Sequence, residues 1–295
     1  MESVRKPSAK VLEFVIEKAI FAAGMLSIFF VVLIFIFLLK EGLSLFAEYP
    51  LGRFLTDHRW YPISKPPHFG VLPLLLGSLA VTLGALFLAV PLGISVAIFI
   101  AEVAPSWLRE ILKTTVEFLA AIPSIVLGFI GLVTLVPLVK QIFHTPTGLT
   151  GVSGSIMLAF MAMPTIVSMM DDALRAVPNS YRAGALALGA TKWQMIWRVL
   201  LPAASSGMVA AVMLGIGRVI GETMAVMMIT GNAANIPTSL LQPVRTMTAT
   251  IAAEMGEAVQ GSDHYYALFA IGILLFLITF VINMTASFFI KGRRK

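Results

Sequence analysis

Six long apolar runs are the feature that most constrains how this chain can fold. A helix of about 20 apolar residues is long enough to cross the hydrocarbon core of a bilayer. Hydrophobic residues make up 58% of the 295 residues and charged residues 12%, a balance that ordinary soluble domains do not have. The pattern predicts an all-α membrane protein with six transmembrane helices, roughly Ala19–Leu39, Val71–Ala101, Thr114–Val139, Val152–Met170, Ser206–Thr230 and Tyr266–Ile290.

The basic residues are distributed unevenly between the two sides that these runs define. With the N-terminus inside, fourteen of the 21 Lys and Arg residues fall in inner segments, six fall in outer ones, and Arg218 lies within a run. Basic residues favour the cytoplasmic side, so both termini are predicted to be cytoplasmic. The chain then divides into a cytoplasmic segment, 1–18, and a six-span domain, 19–295, with a cytoplasmic loop at 171–204. The net charge of +6 reflects this asymmetry, and nucleic-acid binding is not expected.

Several kinds of chemistry are disfavoured by what the sequence lacks. It has no cysteine, which excludes disulfides and thiolate metal sites. It has no Gly-x-x-x-x-Gly-Lys-[Ser/Thr] loop to hold ATP phosphates. The Gly-x-Ser-Gly of some membrane proteases occurs at Gly151–Gly154, but no histidine lies inside a run to act as the base. Asp171 and Asp172 are predicted to be surface charges. No catalytic, cofactor or metal site is predicted.

The polar segment between the fourth and fifth runs carries the signals of two short helices. The first is predicted over Tyr181–Leu188, with Gly189 at positive φ as its end. Thr191 is the predicted N-cap of the second, and Gln194 completes a capping box. Pro202 is expected to end that helix and turn the chain into the fifth run. The second helix would carry a single apolar stripe made of Trp193, Ile196, Trp197 and Leu200.

This segment indicates a docking site for another polypeptide, because small residues in the first helix permit close approach. The alternative is an amphipathic helix that lies on the membrane or under the protein's own spans. The spacing of Gly189, Val199, Leu201 and Pro202 resembles the EAA loop of bacterial ABC importer permeases. In that alignment Ala183 stands where the family has Glu, and Val199 where it has Ile. The resemblance implies an ATPase coupling loop formed by Tyr181, Arg182, Ala183, Gly184, Ala185, Gly189, Thr191, Trp193, Val199, Leu201 and Pro202.

Two charged residues, Arg218 and Glu222, lie inside the fifth run. A charge at bilayer depth is costly, so both are candidates for a substrate pathway, together with the neighbouring Thr223. Four residues apart, they would share a helix face and could pair. Arg218 would attract an anion and Glu222 would hold or release it; the alternative is an ion pair that only locks helix packing. Gly217 and Gly221 are predicted to let another helix approach closely.

Several motifs together resemble the phosphate-specific branch of the ABC importer permeases, of the PstC type, over nearly the whole chain from about residue 15. They are Phe69–Pro73, Gly77–Thr82, Gly221–Ala225, Pro243–Thr248 and Glu254–Glu257. The resemblance implies a type I importer permease in the bacterial cytoplasmic membrane, carrying inorganic phosphate. It also implies a related second permease in a heterodimer, two ATPase subunits that use ATP and Mg, and an extracytoplasmic phosphate-binding protein.

Three other functions remain open at this point. The nearest is the related partner permease of the same system, of the PstA type. An ion-coupled secondary transporter would need no docking helix and would usually show two matching halves, which the sequence does not contain. The third is a membrane scaffold or sensor component that does not transport.

Overall fold

The computed structural model describes residues 7–292. Over that range it contains six helices that are long and apolar enough to cross a membrane, which confirms the all-α, six-span prediction. The side of the membrane on which each end lies stays a prediction. The six spans are Glu13–Ala47, Leu72–Val103, Ser124–Phe143, Gly151–Arg175, Lys192–Gly221 and Asp263–Thr285.

The spans are assembled from α-helices, some joined through short π-helical turns at Phe99–Val103, Gly131–Leu135 and Ile196–Leu200. A two-stranded antiparallel sheet, β1 (Trp60–Tyr61) and β2 (His68–Phe69), forms a small hairpin. We call the end of the bundle with the hairpin the hairpin end, and the end with residues 171–204 the loop end. The helices are α1 (Pro7–Ser44), α2 (Leu51–Thr56), α3 (Leu72–Ile98), α4 (Ser106–Ala121), α5 (Ser124–Ile130), α6 (Val136–Phe143), α7 (Gly151–Arg175), α8 (Asn179–Ala187), α9 (Lys192–Met195), α10 (Leu201–Gly221), α11 (Met224–Ile229), α12 (Met247–Glu254) and α13 (Asp263–Gly292).

The third apolar run is shorter than the sequence suggested. Residues 114–121 belong to the separate helix α4, and the membrane span starts only at Ser124. Between them, Ile122 is extended, with ψ at 128°, because the following Pro123 disfavours the helical region for the residue before it. Arg109, Glu110 and Lys113 make α4 strongly amphipathic, and such a helix suits a membrane surface better than its interior.

The fifth run differs from its prediction at both ends. Pro202 does not turn the chain, because one continuous span covers Lys192–Gly221. A π-helical turn, in which Leu201 N–H donates to Ile196 O, precedes the proline at the second position of α10. The helix instead ends at Gly221, and Glu222 is extended, with ψ at 131°. The residues up to Thr230 therefore form a separate short helix, α11.

The central core is formed by α3, α7 and α10. Ile166 of α7 is fully buried, and its side chain occupies the space beside two glycines. A Cβ on Gly93 of α3 would lie 2.8 Å from Ile166 Cγ2, and a Cβ on Gly215 of α10 would lie 2.6 Å from its Cγ1. Only glycine permits so close an approach, so one side chain connects all three helices.

A second core lies at the hairpin end and fixes the hairpin on α3 and α13. The side chains of Phe54, Trp60 and Phe69 are almost completely buried there. They pack in one hydrophobic cluster with residues of α3 and α13, among them Leu74 and Leu268. The polar segment after the first span is therefore a folded cap on the bundle.

Candidate functional site

Arg218 lies beside the middle of α7 and is held at one atom only. Its Nε donates a 3.0 Å hydrogen bond to the backbone oxygen of Met161, which is near the middle of α7. The Nη1 and Nη2 groups make no hydrogen bond or ion pair with any residue in the described range 7–292. Nε thus orients the guanidinium, while the two Nη groups stay available to donate a pair of hydrogen bonds to an anion.

The predicted pairing of Arg218 with Glu222 is wrong. Because the helix stops at Gly221, the two side chains do not share a helix face. Glu222 Oε1 instead accepts a hydrogen bond from Ala225 N–H at 3.3 Å, at the start of α11. Thr223 Oγ1 donates to the Gly221 oxygen at 3.2 Å. Within residues 7–292, therefore, no carboxylate neutralises the charge of Arg218, and the alternative of a packing ion pair has no support.

A layer of hydroxyl side chains surrounds the break in the fifth span. Thr248 Oγ1 donates to the backbone oxygen of Glu222 at 2.9 Å, which satisfies a carbonyl that the ending helix leaves free. Ser78 Oγ accepts from Met247 N–H at 2.9 Å. The sequence analysis missed these hydroxyls as site residues, although Thr246 with Ala249 three positions on carries an N-cap signal. A cavity of about 10 Å³, the size of one water, is lined by Ser78, Thr82, Glu222, Thr246, Thr248 and neighbouring apolar residues.

Gly217 and Gly221 are not in close contact with any helix of the described chain, so the close helix approach at these residues stays a prediction. A Cβ on either residue would meet nothing within 4 Å, so no helix of the described chain approaches there. The glycines that do permit close contact in α10 are Gly207, against Ala173, and Gly215, against Ile166. Gly217 and Gly221 therefore lie on an open side of α10, which faces away from the rest of the described chain.

At the loop end, the predicted helix–glycine–helix shape is confirmed. Helix α8 is followed by Gly189 at φ 81°, and the chain then enters α9. Thr191 Oγ1 accepts from Gln194 N–H at 3.3 Å, while Gln194 Oε1 accepts from Thr191 N–H at 2.9 Å. Both halves of the capping box are formed, so the short helix α9 has a fixed start.

The predicted apolar stripe of the second helix is divided between two faces. Ile196 and Leu200 are fully buried against the bundle, as expected. Trp193 and Trp197 are each 60% exposed, because Met195 takes the buried position between them. Leu188, beside Gly189, is 90% exposed. We call the surface formed by Leu186, Leu188, Trp193 and Trp197 the loop-end apolar surface; the described part of the chain leaves it uncovered.

The other residues of the predicted coupling loop differ in how far they are exposed. Tyr181, Ala183 and Gly184 are exposed on α8, where a partner could reach them, and Ala185 is buried against the chain itself. The remaining members are the partly buried Arg182, Val199 and Leu201, and the exposed Thr191 and Pro202.

Asp171 is buried, which corrects its prediction as a surface charge. Its Oδ2 lies 2.8 Å from Arg175 Nε and 3.6 Å from Lys113 Nζ, so two cations compensate the buried carboxylate. Asp172 is exposed and binds Lys113 Nζ at 3.1 Å. This hydrogen bond is the main reason that the pKa of Lys113 is raised. The two acids connect α7 to α4, and the described residues contain no cluster of three metal-ligating side chains.

The hairpin end contains a cavity of about 650 Å³ between the hairpin and the segments on either side of α12. Glu254 organises its wall by accepting from Trp60 Nε1 at 3.0 Å and facing His264 Nε2 at 2.9 Å. Arg245 also forms an ion pair with Glu254. Glu254 pairs with Arg245 and Glu257 adds a second carboxylate, so the described lining of this cavity presents no unpaired arginine to an anion.

The base of the hairpin is held by Asp57, and this contact should depend on pH. Burial alone would raise the pKa of Asp57, but hydrogen bonds from His68, at 3.0 Å, and Arg59 N–H, at 3.1 Å, outweigh it and lower the pKa. Because the pKa of folded Asp57 is lowered, these contacts stabilise the fold fully above the unfolded pKa of about 3.9. Their contribution is lost as the pH falls through the folded pKa.

We therefore expect Asp57→Asn to lower the melting temperature of the purified protein by about 2 °C at neutral pH, because these charge-assisted hydrogen bonds are weakened. The difference from the unchanged protein should shrink as the pH falls below about 3.9 and through the lowered pKa of folded Asp57, below which both proteins carry a neutral side chain. Thermal unfolding between pH 3 and 7 measures it. A difference that stays constant over this range would contradict the assignment.

Comparison with known proteins places these features in a family. The model of the family "Binding-protein-dependent transport system inner membrane component" matches residues 89–295. The chain belongs to this family. A probable ABC transporter permease protein, YqgH of Bacillus subtilis, is 41% identical over 90% of this chain and 86% of its own length. The phosphate transport system permease protein PstC of Mesorhizobium japonicum is 39% identical over 80% and 77%. The resemblance to the PstC type is thereby confirmed.

Solved structures show the same fold at lower identity. A bacterial ABC transporter involved in import of the acidic polysaccharide alginate has a chain with TM-score 0.64, at 17% identity over 97% of this chain and 100% of that one. The MetNI methionine ABC transporter gives TM-score 0.60, at 22% identity over 78% and 99%. These likenesses establish the type I importer permease fold and a multi-pass membrane protein.

Proposed function

We propose that this chain is the PstC-type permease subunit of an ATP-driven importer of inorganic phosphate in the bacterial cytoplasmic membrane. The observation that carries the proposal is Arg218, whose Nη groups have no partner among the described residues and lie beside the middle of α7. Phosphate is an oxyanion that a guanidinium can bind through two parallel hydrogen bonds. Several relatives that are 35–39% identical are named phosphate transport system permease protein PstC, which supports this substrate.

The proposed complex contains a related second permease, two ATPase subunits and an extracytoplasmic phosphate-binding protein. An open side of α10 at Gly217 and Gly221 suits the second permease, because a helix could approach it closely. The loop-end apolar surface suits the ATPase, since exposed apolar patches on membrane proteins outside the bilayer are typical of protein contacts. ATP and Mg would be bound by that partner. The binding protein would dock at the hairpin end and deliver phosphate from there.

The proposal is tested by reconstituting this chain with its candidate partners in proteoliposomes. We expect ATP hydrolysis to be stimulated by the phosphate-loaded binding protein and accompanied by phosphate uptake. Scrambling residues 181–201 should abolish both activities, because it destroys the helix–glycine–helix shape. A variant in which the exposed hairpin tip 62–65 is scrambled serves as the control for ATPase attachment, since this segment is at the opposite end.

Each alternative leads to a different result. Phosphate uptake without any ATPase would identify an ion-coupled secondary transporter. Normal cellular uptake after deletion of this chain would identify a scaffold or sensor component. Co-expression distinguishes the PstA-type alternative. A chain of the PstC type should form an active complex with a PstA-type permease and not with a second PstC-type permease, since two copies of one type should not replace the pair.

A further inference from the structure

A buried ion pair connects the predicted coupling helix α8 to the second span. Arg182 of α8 donates to Glu102 Oε1 from Nη2 at 2.8 Å and from Nε at 3.0 Å. The two side chains are 18% and 9% exposed, respectively. A pair with this much burial is poorly screened by solvent, and removal of one partner leaves an uncompensated charge.

The same guanidinium also holds the end of the fourth span. Nη2 donates to the backbone oxygen of Leu174, and Nη1 donates to that of Val177, both at 2.8 Å. Arg182 therefore joins three elements, the coupling helix, the second span and the fourth span. Lysine could not replace it, because an ammonium lacks the planar fork that reaches all of these acceptors.

Helix α8 also contacts the start of the fifth span, and Ala185 is its one buried residue among the nine. Arg182 hydrogen-bonds α8 to the second span, so a force applied to the exposed face of α8 can reach that span through Arg182.

Glu102 lies where such a force would act on the second span. It belongs to the π-helical turn Phe99–Val103, and such turns often occur at functional positions because their backbone is less regular. Arg109 of α4 binds the neighbouring oxygens of Ile100 and Ala101 at 2.9 and 3.0 Å. Hydrogen bonds from α8 and from α4 therefore hold the turn from two sides.

The second span is in turn packed against the helix that carries Arg218. Ile166 fills the space between Gly93 of that span and Gly215 of α10, and Gly215 lies three residues before Arg218. A displacement of α3 cannot leave α10 unchanged, because a close-packed interior does not deform continuously. The contacts form an unbroken path from α8, through Glu102 and Ile166, to the Arg218 segment.

Resting on the proposed function, we propose that the Arg182–Glu102 pair is the joint that transmits movement of the coupling helix to the second span. Both are positioning residues, since their proposed role acts through each other and through the spans that they join. The pair would be required for converting ATP hydrolysis into transport, and it would not be required for hydrolysis itself.

The test is the Glu102→Gln variant in the reconstituted complex, with phosphate uptake and ATP hydrolysis measured on the same vesicles. The amide keeps the size and one acceptor but removes the charge. We expect ATP hydrolysis close to that of the unchanged complex and phosphate uptake per ATP reduced about tenfold. Arg182→Lys, which keeps the charge and loses the fork, should reduce the same ratio.

Asp172→Asn is the matched control, because it neutralises a carboxylate in an ion pair at the same end that does not involve α8. Its uptake per ATP should be unchanged. An unchanged ratio of phosphate uptake to ATP hydrolysis in both Glu102→Gln and Arg182→Lys would overturn the proposal. Failure of both variants to assemble would also overturn it, because the pair would then have a purely structural role. Absence of ATP-dependent uptake in the unchanged complex would instead refute the proposed function.

Discussion

Arg218→Gln is expected to reduce phosphate uptake at least about a hundredfold while the complex still assembles. The glutamine can still donate to the Met161 oxygen, so the local structure should survive. It cannot provide two parallel charged donors inside the fifth span, where an anion would have little water to replace them. Uptake of labelled phosphate into proteoliposomes, together with co-purification of the partner subunits, measures both parts of the expectation.

Two further variants make this result specific. Arg218→Lys keeps the charge but loses the fork and should restore only part of the uptake, since lysine binds an oxyanion as a point charge. Lys140→Gln removes a positive charge from an exposed position on α6 and should leave uptake unchanged. If Arg218→Gln transports phosphate at the normal rate, Arg218 has no role in the pathway.

The number of spans and the shape of the loop could be predicted because each depends on nearby residues. Hydropathy over 20 positions decides whether a segment is stable in a bilayer, so all six spans were found. Thr191 and Gln194 form their capping box within one helical turn. Gly189 is followed directly by the start of the next helix, and its positive φ needs no tertiary contact.

Several errors occurred where a contact distant in sequence decided the result. The pairing of Arg218 with Glu222 assumed an unbroken helix, but Thr248, distant in sequence, donates a hydrogen bond to the free carbonyl oxygen of Glu222 and stabilises the break. Asp171 became buried because Lys113 from another helix compensates it. Glu102 was overlooked, although a carboxylate at the end of an apolar run was a visible signal that a cation had to be found for it.

Leu188→Asp should detach the ATPase from an otherwise intact permease. Leu188 is 90% exposed, so in the isolated chain it contributes almost nothing to folding, and its replacement should leave the melting temperature unchanged. In the complex, Leu188 would lie at the centre of the loop-end apolar surface, between Leu186 of α8 and the two tryptophans. A charge placed there without a partner should reduce ATPase co-purification at least about tenfold.

Val259→Asp provides the matched control for this prediction. Val259 is also an apolar residue, 74% exposed, but it lies at the hairpin end, between α12 and α13. The same substitution there should leave ATPase co-purification unchanged, since the ATPase would bind at the opposite end. Equal ATPase recovery with Leu188→Asp and with the unchanged chain would mean that the apolar surface is not the contact. The exposure of Trp193 and Trp197 would then need another cause, such as contact with the membrane surface, where tryptophan is favoured.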